Sequence, residues 1–217
     1  MGRENELMKK LEAFISKYYK NLLLKGVIYF IASSLLFFLF ISFVEHFGNF
    51  GTTIRTILFW GFISLTLFVL CKWIVVPLKG LYRIGETLSQ EEAAKIIGIH
   101  FVEVEDKLLN LLQLSSLSSS ENELINASIQ QKSKQLSPVP FLKAIDFREN
   151  KQYLKYALVP VTILLLIFFS GNKNIVTKSS ARIISHNTHF EPKAPFFFIL
   201  ENNHLQAVKG EDFMLKM

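Results

Sequence analysis

The chain is poor in the residues that usually announce chemistry or covalent bracing. It has one cysteine in 217 residues, Cys71, so no disulfide can close within it and its compartment cannot be read from thiol pairing. Cys71 lies in an apolar block and reads as a small apolar residue. There is no glycine-rich phosphate loop and no nucleophile motif, which removes the usual footing for phosphoryl or acyl transfer. Charge is also scarce. Only 19% of residues are Asp, Glu, Lys or Arg, against about 25% in a soluble domain.

What is abundant is apolar. Half of the residues are hydrophobic, and Phe, with 21 copies, outnumbers Tyr with 6 and Trp with 2. This surplus collects in three blocks, the pattern of membrane-spanning helices. The net charge of +6 comes with no nucleic-acid-binding motif. It reads instead as basic flanks beside apolar spans, facing anionic headgroups.

Val27 to Val44 carries no charged residue. At 1.5 Å per residue it reaches about 27 Å, close to the hydrocarbon thickness. Each central Leu, Ile, Phe or Val favours insertion by about 0.3–0.6 kcal/mol. The run is longer than a signal-peptide core and lacks a small-residue cleavage site after it, so an uncleaved anchor is expected. Gly48 and Gly51 mark a short turn, Glu45 to Thr53. A second span follows over about 54–76, with Arg55 at its start and Lys72 near its exit, placed to snorkel, and Pro77 ending or kinking it. A third, about 153–169, has Lys155 near its first end, a kink expected at Pro160, and Ser170-Gly171-Asn172-Lys173 to stop it.

Before the first span, Leu7, Leu11, Phe14, Ile15, Tyr18 and Leu22 fall on one helical face. Residues 1–26 thus read as an amphipathic helix. It either lies on headgroups or packs on the chain's own polar helices. Residues 77–152 read as a small helical module. Ser89-Gln90-Glu91-Glu92 and Ser120-Glu121-Asn122-Glu123 are capping boxes, Leu108, Leu109, Leu111, Leu112 and Leu114 mark a helix between them, and Ser115 to Ser120 reads as a loop. Ser137-Pro138-Val139-Pro140 is expected to be extended, and Asp146 to cap the helix entering the third span. The module has too few apolar residues for a large core of its own and should lean on helix extensions from the membrane. After residue 190 the period becomes strand-like, over Phe196 to Leu200, Leu205 to Val208 and Phe213 to Met217, with turn residues between. So few strands cannot stand alone; the expectation is a β-sandwich that starts here and continues beyond Met217, through truncation or a missing continuation.

Six Lys or Arg precede the first span, ten lie in 77–155, and only Arg55 stands at the first turn. The positive-inside rule then puts the N-terminus and the module in the cytoplasm and the C-terminal strands outside. Lys173, Lys178 and Arg182 weaken this bias without reversing it.

Few residues invite a catalytic or ligand-binding role. His186 and His189 are three apart and His204 lies in a turn, yet a metal needs a third convergent ligand. His46 and His100 stand alone. Glu91 and Glu92 are explained by the cap. The span interiors offer few polar side chains, among them Ser33, Ser34, Ser64, Thr66, Cys71 and Thr162. These can bond helix backbones, and none marks a transport pathway. No catalytic, cofactor-binding or metal residue is assigned, and no enzyme is expected from this chain.

Several stretches resemble the N-terminal region of large, uncharacterised membrane proteins of Bacteroidetes-type bacteria. They are Lys9-Lys10-Leu11-Glu12, Tyr18-Tyr19-Lys20, Glu91 to Gly98, Asp106 to Asn110, Leu136 to Phe141, Ala144 to Phe147, Phe190-Glu191-Pro192, Ala194-Pro195-Phe196 and Lys209 to Phe213, in consistent order along nearly the whole chain. The resemblance implies a domain of unknown function and a long extracytoplasmic region of β-sandwich and helices. It brings no catalytic residues.

The expected fold is therefore mainly α: three transmembrane helices, a small cytoplasmic helical module, and the start of an Ig-like β-sandwich. Its segments are 1–26, a hairpin at 27–76, the module at 77–152, a third span at 153–169, and an extracytoplasmic linker and incomplete sandwich at 170–217. The expected role is a structural or interaction protein of the bacterial inner membrane and cell envelope, multi-pass, the anchor of a longer extracytoplasmic protein. Its partners are the bilayer and proteins on one or both sides, with no nucleic acid. A signalling component and an accessory subunit of a transport or secretion complex remain as alternatives.

Overall fold

The computed structural model describes residues 2–85, 87–117 and 123–190, except that the side chains of 2–5, 116–117, 123–124 and 126 fall outside the description. The strand-like runs after residue 190 and the second capping box lie outside the described residues. Among those residues the elements are all helical. They are α1 (Gly2–Gly48), α2 (Thr52–Leu70), a π-helical turn (Cys71–Val75), α3 (Val76–Leu81), α4 (Gln90–His100), α5 (Val102–Leu117), α6 (Glu123–Leu136), two 3₁₀ turns (Phe141–Ala144 and Phe147–Asn150), α7 (Lys151–Phe169) and α8 (Asn174–Ile184).

Three helical stretches are long and apolar enough to cross a membrane: Glu6–Gly48, Thr52–Leu81 and Phe141–Phe169. The surface supports this by its chemistry. The one buried residue named in α2 is Arg55, and in α7 it is Pro160. Ile57, Trp60, Leu67 and Phe68 of α2, and Leu158, Val159, Leu166 and Phe169 of α7, are exposed. Helices apolar all round and bare to this extent belong in an apolar solvent. Two span hydroxyls turn inward to their own backbones: Ser33 donates to the Tyr29 carbonyl at 2.7 Å and Thr162 to the Leu158 carbonyl at 2.8 Å.

The amphipathic segment and the first span form one rod. With no Pro and no break between Gly2 and Gly48, α1 runs about 70 Å at 1.5 Å per residue. It packs on α7, α8, α2, α3 and the π turn, and on α4 and α6. The apolar stripe on its first half faces the module. Leu7, Leu11 and Phe14 are buried with Ala93, Ala94, Ile97, Leu108, Leu111, Leu112, Leu136 and Phe141. Of the two placements open to that stripe, the structure has the packed one.

The module's weak points are its connections, and α1 supplies their hydrogen-bond partners. Lys10 Nζ donates to the Ser137 carbonyl, and Lys17 Nζ to those of Leu142 and Ile145, each at 2.7 Å. Asn150 Nδ2 donates to Asn21 Oδ1 at 2.6 Å, and the Leu88 amide to the Tyr19 hydroxyl at 2.8 Å. These lysines satisfy carbonyls that irregular backbone would otherwise leave unpaired. Ser137 and Pro138 form a turn rather than an extended run. The Ser137 amide donates back to Ser133 and the Val139 amide to Leu136, closing α6 where Pro138 cannot continue it.

The capping box at Ser89 forms as the sequence indicates. The Glu92 amide donates to Ser89 Oγ at 3.1 Å and the Ser89 amide to Glu92 Oε2 at 2.9 Å. Asp146 Oδ1 accepts from the Arg148 amide at 2.8 Å, opening the 3₁₀ turn that leads into α7. At its far end α7 stops at Ser170, with Gly171 at φ +79°.

Pro77 does not end the second span. The chain stays helical to Leu81, with the π turn of Cys71–Val75 just ahead of the proline. Pro77 cannot donate to the Trp73 carbonyl four residues back, and its ring crowds that oxygen; a widened turn there relieves the crowding. The Trp73 carbonyl also lies against α1, where a Cβ at Gly26 would collide with it, and the Tyr19 ring lies where a Cβ at Gly80 would be.

Candidate functional site

Polar side chains buried at the end of the hairpin away from the module form the most unusual grouping in the molecule. Glu45, in the last turn of α1, is fully buried, and so is Arg55 in the first turn of α2. Arg55 Nε lies 3.6 Å from Glu45 Oε1, and Arg182 Nε of α8 lies 3.2 Å from the same oxygen. Three distant parts of the sequence meet at one carboxylate.

Each guanidinium also has backbone, amide or ring partners. Arg55 Nε donates to the Phe50 carbonyl at 2.7 Å and its Nη1 to the Thr188 carbonyl at 3.2 Å. Arg182 Nη1 donates to Asn49 Oδ1. Asn49 takes φ +42°, a left-handed conformation that Asn tolerates better than most residues, and so turns the chain between α1 and α2. The Phe190 ring faces both cations, its centroid 4.9 Å from Arg55 Cζ and 5.7 Å from Arg182 Cζ. Nearby, the Phe59 ring stacks on His186 with centroids 4.5 Å apart. Two oxygen-bearing side chains in this part of the molecule are buried as well, Ser42 on α1 and Ser179 on α8.

The arrangement can hold segments together, because a charge removed from water is stable only when paired. It pins α8 and the turn after it to the tips of α1 and α2. Among the described residues the ion-pair partners of Glu45 are these two cations. Among the described residues no three His, Cys, Asp or Glu side chains converge as metal ligands. His186 is engaged with Phe59, and His204 lies outside the described residues. Cys71 is a free, exposed thiol. His46 sits edge-on to Phe47 at 5.2 Å.

Arg55 departs from the sequence expectation. It does not snorkel toward an interface but is 1% exposed, because Glu45 and two carbonyls provide partners inside the protein. Lys72 is exposed. The helix α8 was not foreseen. Its signal was present in Val176, Ser179 and Ile183, buried at steps of three and four, which would have placed Arg182 beside an inward-facing stripe.

No protein-family model, curated protein or solved structure matches the chain. The functional reading therefore rests on the geometry.

Proposed function

We propose that this chain is a membrane anchor of the bacterial cell envelope, a structural and interaction protein with a polar docking surface at each end of its three spans. The observation that carries this is the Glu45–Arg55–Arg182 cluster, which fixes α8 and the turn after it on the hairpin tip. A segment meant only to trail from the third span would need no such clamp. The module at the opposite end is bound as firmly, through the buried α1 stripe and the lysine-to-carbonyl bonds. The chain thus joins two polar platforms through an apolar middle.

In this reading the module faces the cytoplasm of an inner membrane and α8 faces the periplasm, as the distribution of basic residues favours. The region beyond Phe190 leaves from the α8 platform, in keeping with the resemblance to longer envelope proteins. Alkaline phosphatase fused after Asn203 should be active, and fused after Ser115 inactive; the reverse pattern would overturn the orientation. Gentle solubilisation should recover a stoichiometric protein partner with the chain, and recovery of the chain alone in every mild detergent would count against the docking role.

A further inference from the structure

A second polar feature lies at the other end of the spans, apart from the clamp. A small open cavity of about 150 Å³ sits between α1 and the π turn, lined by Leu22, Lys25, Gly26, Tyr29, Lys72, Trp73, Val76 and Pro77. Among the described residues neither Lys25 nor Lys72 makes an ion pair. Lys25 is held by rings instead, with Nζ 4.3 Å from the Tyr153 centroid and 5.9 Å from that of Tyr29. Tyr29 in turn lies 5.0 Å from Trp73, 5.4 Å from Tyr153 and 6.0 Å from Tyr156. Tyr and Trp grouped across three span helices mark the level of a membrane–water interface. The distance along the second span fits this: Arg55 to Trp73 is about 27 Å of helix, close to a hydrocarbon thickness of about 30 Å.

We propose that this cavity binds the phosphate of one anionic phospholipid. Two cations, neither in a close ion pair and Lys25 only at longer range from Glu149, face an interfacial opening whose other walls are apolar or aromatic. That chemistry suits a headgroup phosphate whose acyl chains continue down the bare faces of the spans, where Leu154 and Leu158 of α7 are exposed. Basic pockets between spans commonly select anionic headgroups. The π turn shapes the site, since Lys72 and Trp73 both lie within it. Gly26 lets that turn sit directly on α1. A soluble anion would gain nothing from Leu22, Val76 or Pro77, so the lipid is the favoured source of the phosphate.

The test uses the full chain with Trp60→Phe, which leaves Trp73 as the single indole, in a neutral detergent. Bromine-labelled phosphatidylglycerol and bromine-labelled phosphatidylcholine are titrated separately, and quenching of Trp73 is followed. Phosphatidylglycerol should half-saturate at a concentration lower by about tenfold. Lys25→Gln with Lys72→Gln should bring the ratio to near one. Lys151→Gln with Lys155→Gln, which removes the same charge outside the cavity, should leave it. Equal quenching by the two lipids in the parent, or an equal loss in the control pair, overturns the proposal. So does abolition of the preference by millimolar inorganic phosphate, which would make the site one for a free anion. If the paired lysine variant fails to fold, Lys72→Gln alone, at an exposed position, must still lower the ratio by about threefold; an unchanged ratio overturns the proposal equally.

Discussion

Glu45 is a single buried carboxylate serving two guanidinium groups, so its removal leaves two cations partly stranded. Glu45→Gln should cost about 3 kcal/mol and release α8. With Cys71→Ala as background, a cysteine replacing the buried Ser179 should resist maleimide in the parent and react in the Glu45→Gln variant; protection in both would show that α8 is held by apolar packing alone. At the other end, Ser89 and Glu92 make a cap that responds to acid. The Ser89 amide and then the Ser89 hydroxyl hold the Glu92 carboxyl below its ordinary value. A carboxylate lowered on folding stabilises above the unfolded value, and that contribution is lost as pH falls through the lowered one. The amide protection factor at the start of α4, with the intrinsic pH dependence of exchange divided out, should therefore fall with acid in the parent and lose this dependence in Glu92→Gln. Ser89→Ala should cost about 1 kcal/mol at neutral pH. The cap was legible in the sequence because its partners are three residues apart. The Glu45 cluster was not, because its members come from three separate elements and only the closing of the hairpin and the return of α7 bring them together. Arg55 taken by itself reads as an interfacial cation.

Among the elements, the second span shows how a proline can be kept inside a continuous helix. Pro77 reads from sequence as a stop or a kink, and the helix goes on with a π turn ahead of it. The π turn before it absorbs the crowding, and Gly26 on the neighbouring helix accepts the displaced Trp73 carbonyl. That solution lies in a partner helix, so no window of local sequence contains it. Gly26→Ala should push the π turn from α1 and destabilise the detergent-solubilised chain by about 1–3 kcal/mol. Gly61→Ala on the same hairpin, where an added Cβ meets nothing within 4 Å, should be neutral or slightly stabilising through helix propensity. Melting both variants in one detergent checks the contrast; equal effects would mean that the close approach at Gly26 carries no weight. The three long apolar helices, the module's helices and the caps at Ser89 and Asp146 were readable because apolar runs and cap signals are local, whereas the joining of the amphipathic segment to the first span was hidden by their difference in composition.

At the scale of the whole molecule, α1 is the organising member, and the other helices are arranged around it. Its first half is solvated by the module, its middle by α2, α3 and α7, and its last turns by α8. One rod thus contributes to the module's apolar core, to the bundle of spans and to an ion cluster. The two polar platforms lie at opposite ends of the spans. If those spans cross a bilayer, a charged reagent that cannot pass lipid should label a cysteine at exposed Lys178 from one side of sealed vesicles and at exposed Lys95 only from the other. Labelling of both from the same side would refute the separation.

Because α1 is unbroken, its two ends share a single rotational phase. Gly2 to Gly48 behaves as a crankshaft: the azimuth at which Leu7, Leu11 and Phe14 meet the module also sets the azimuth at which Glu45 meets the two arginines. One alanine inserted between Phe37 and Phe38 would twist one end against the other by about 100°, so that only one of the two attachments could stay in place. Seven inserted residues would return the azimuth to within about 20° while lengthening the shaft by about 10 Å. Torque applied at either platform would reach the other through the same shaft, with no hinge along the way to absorb it.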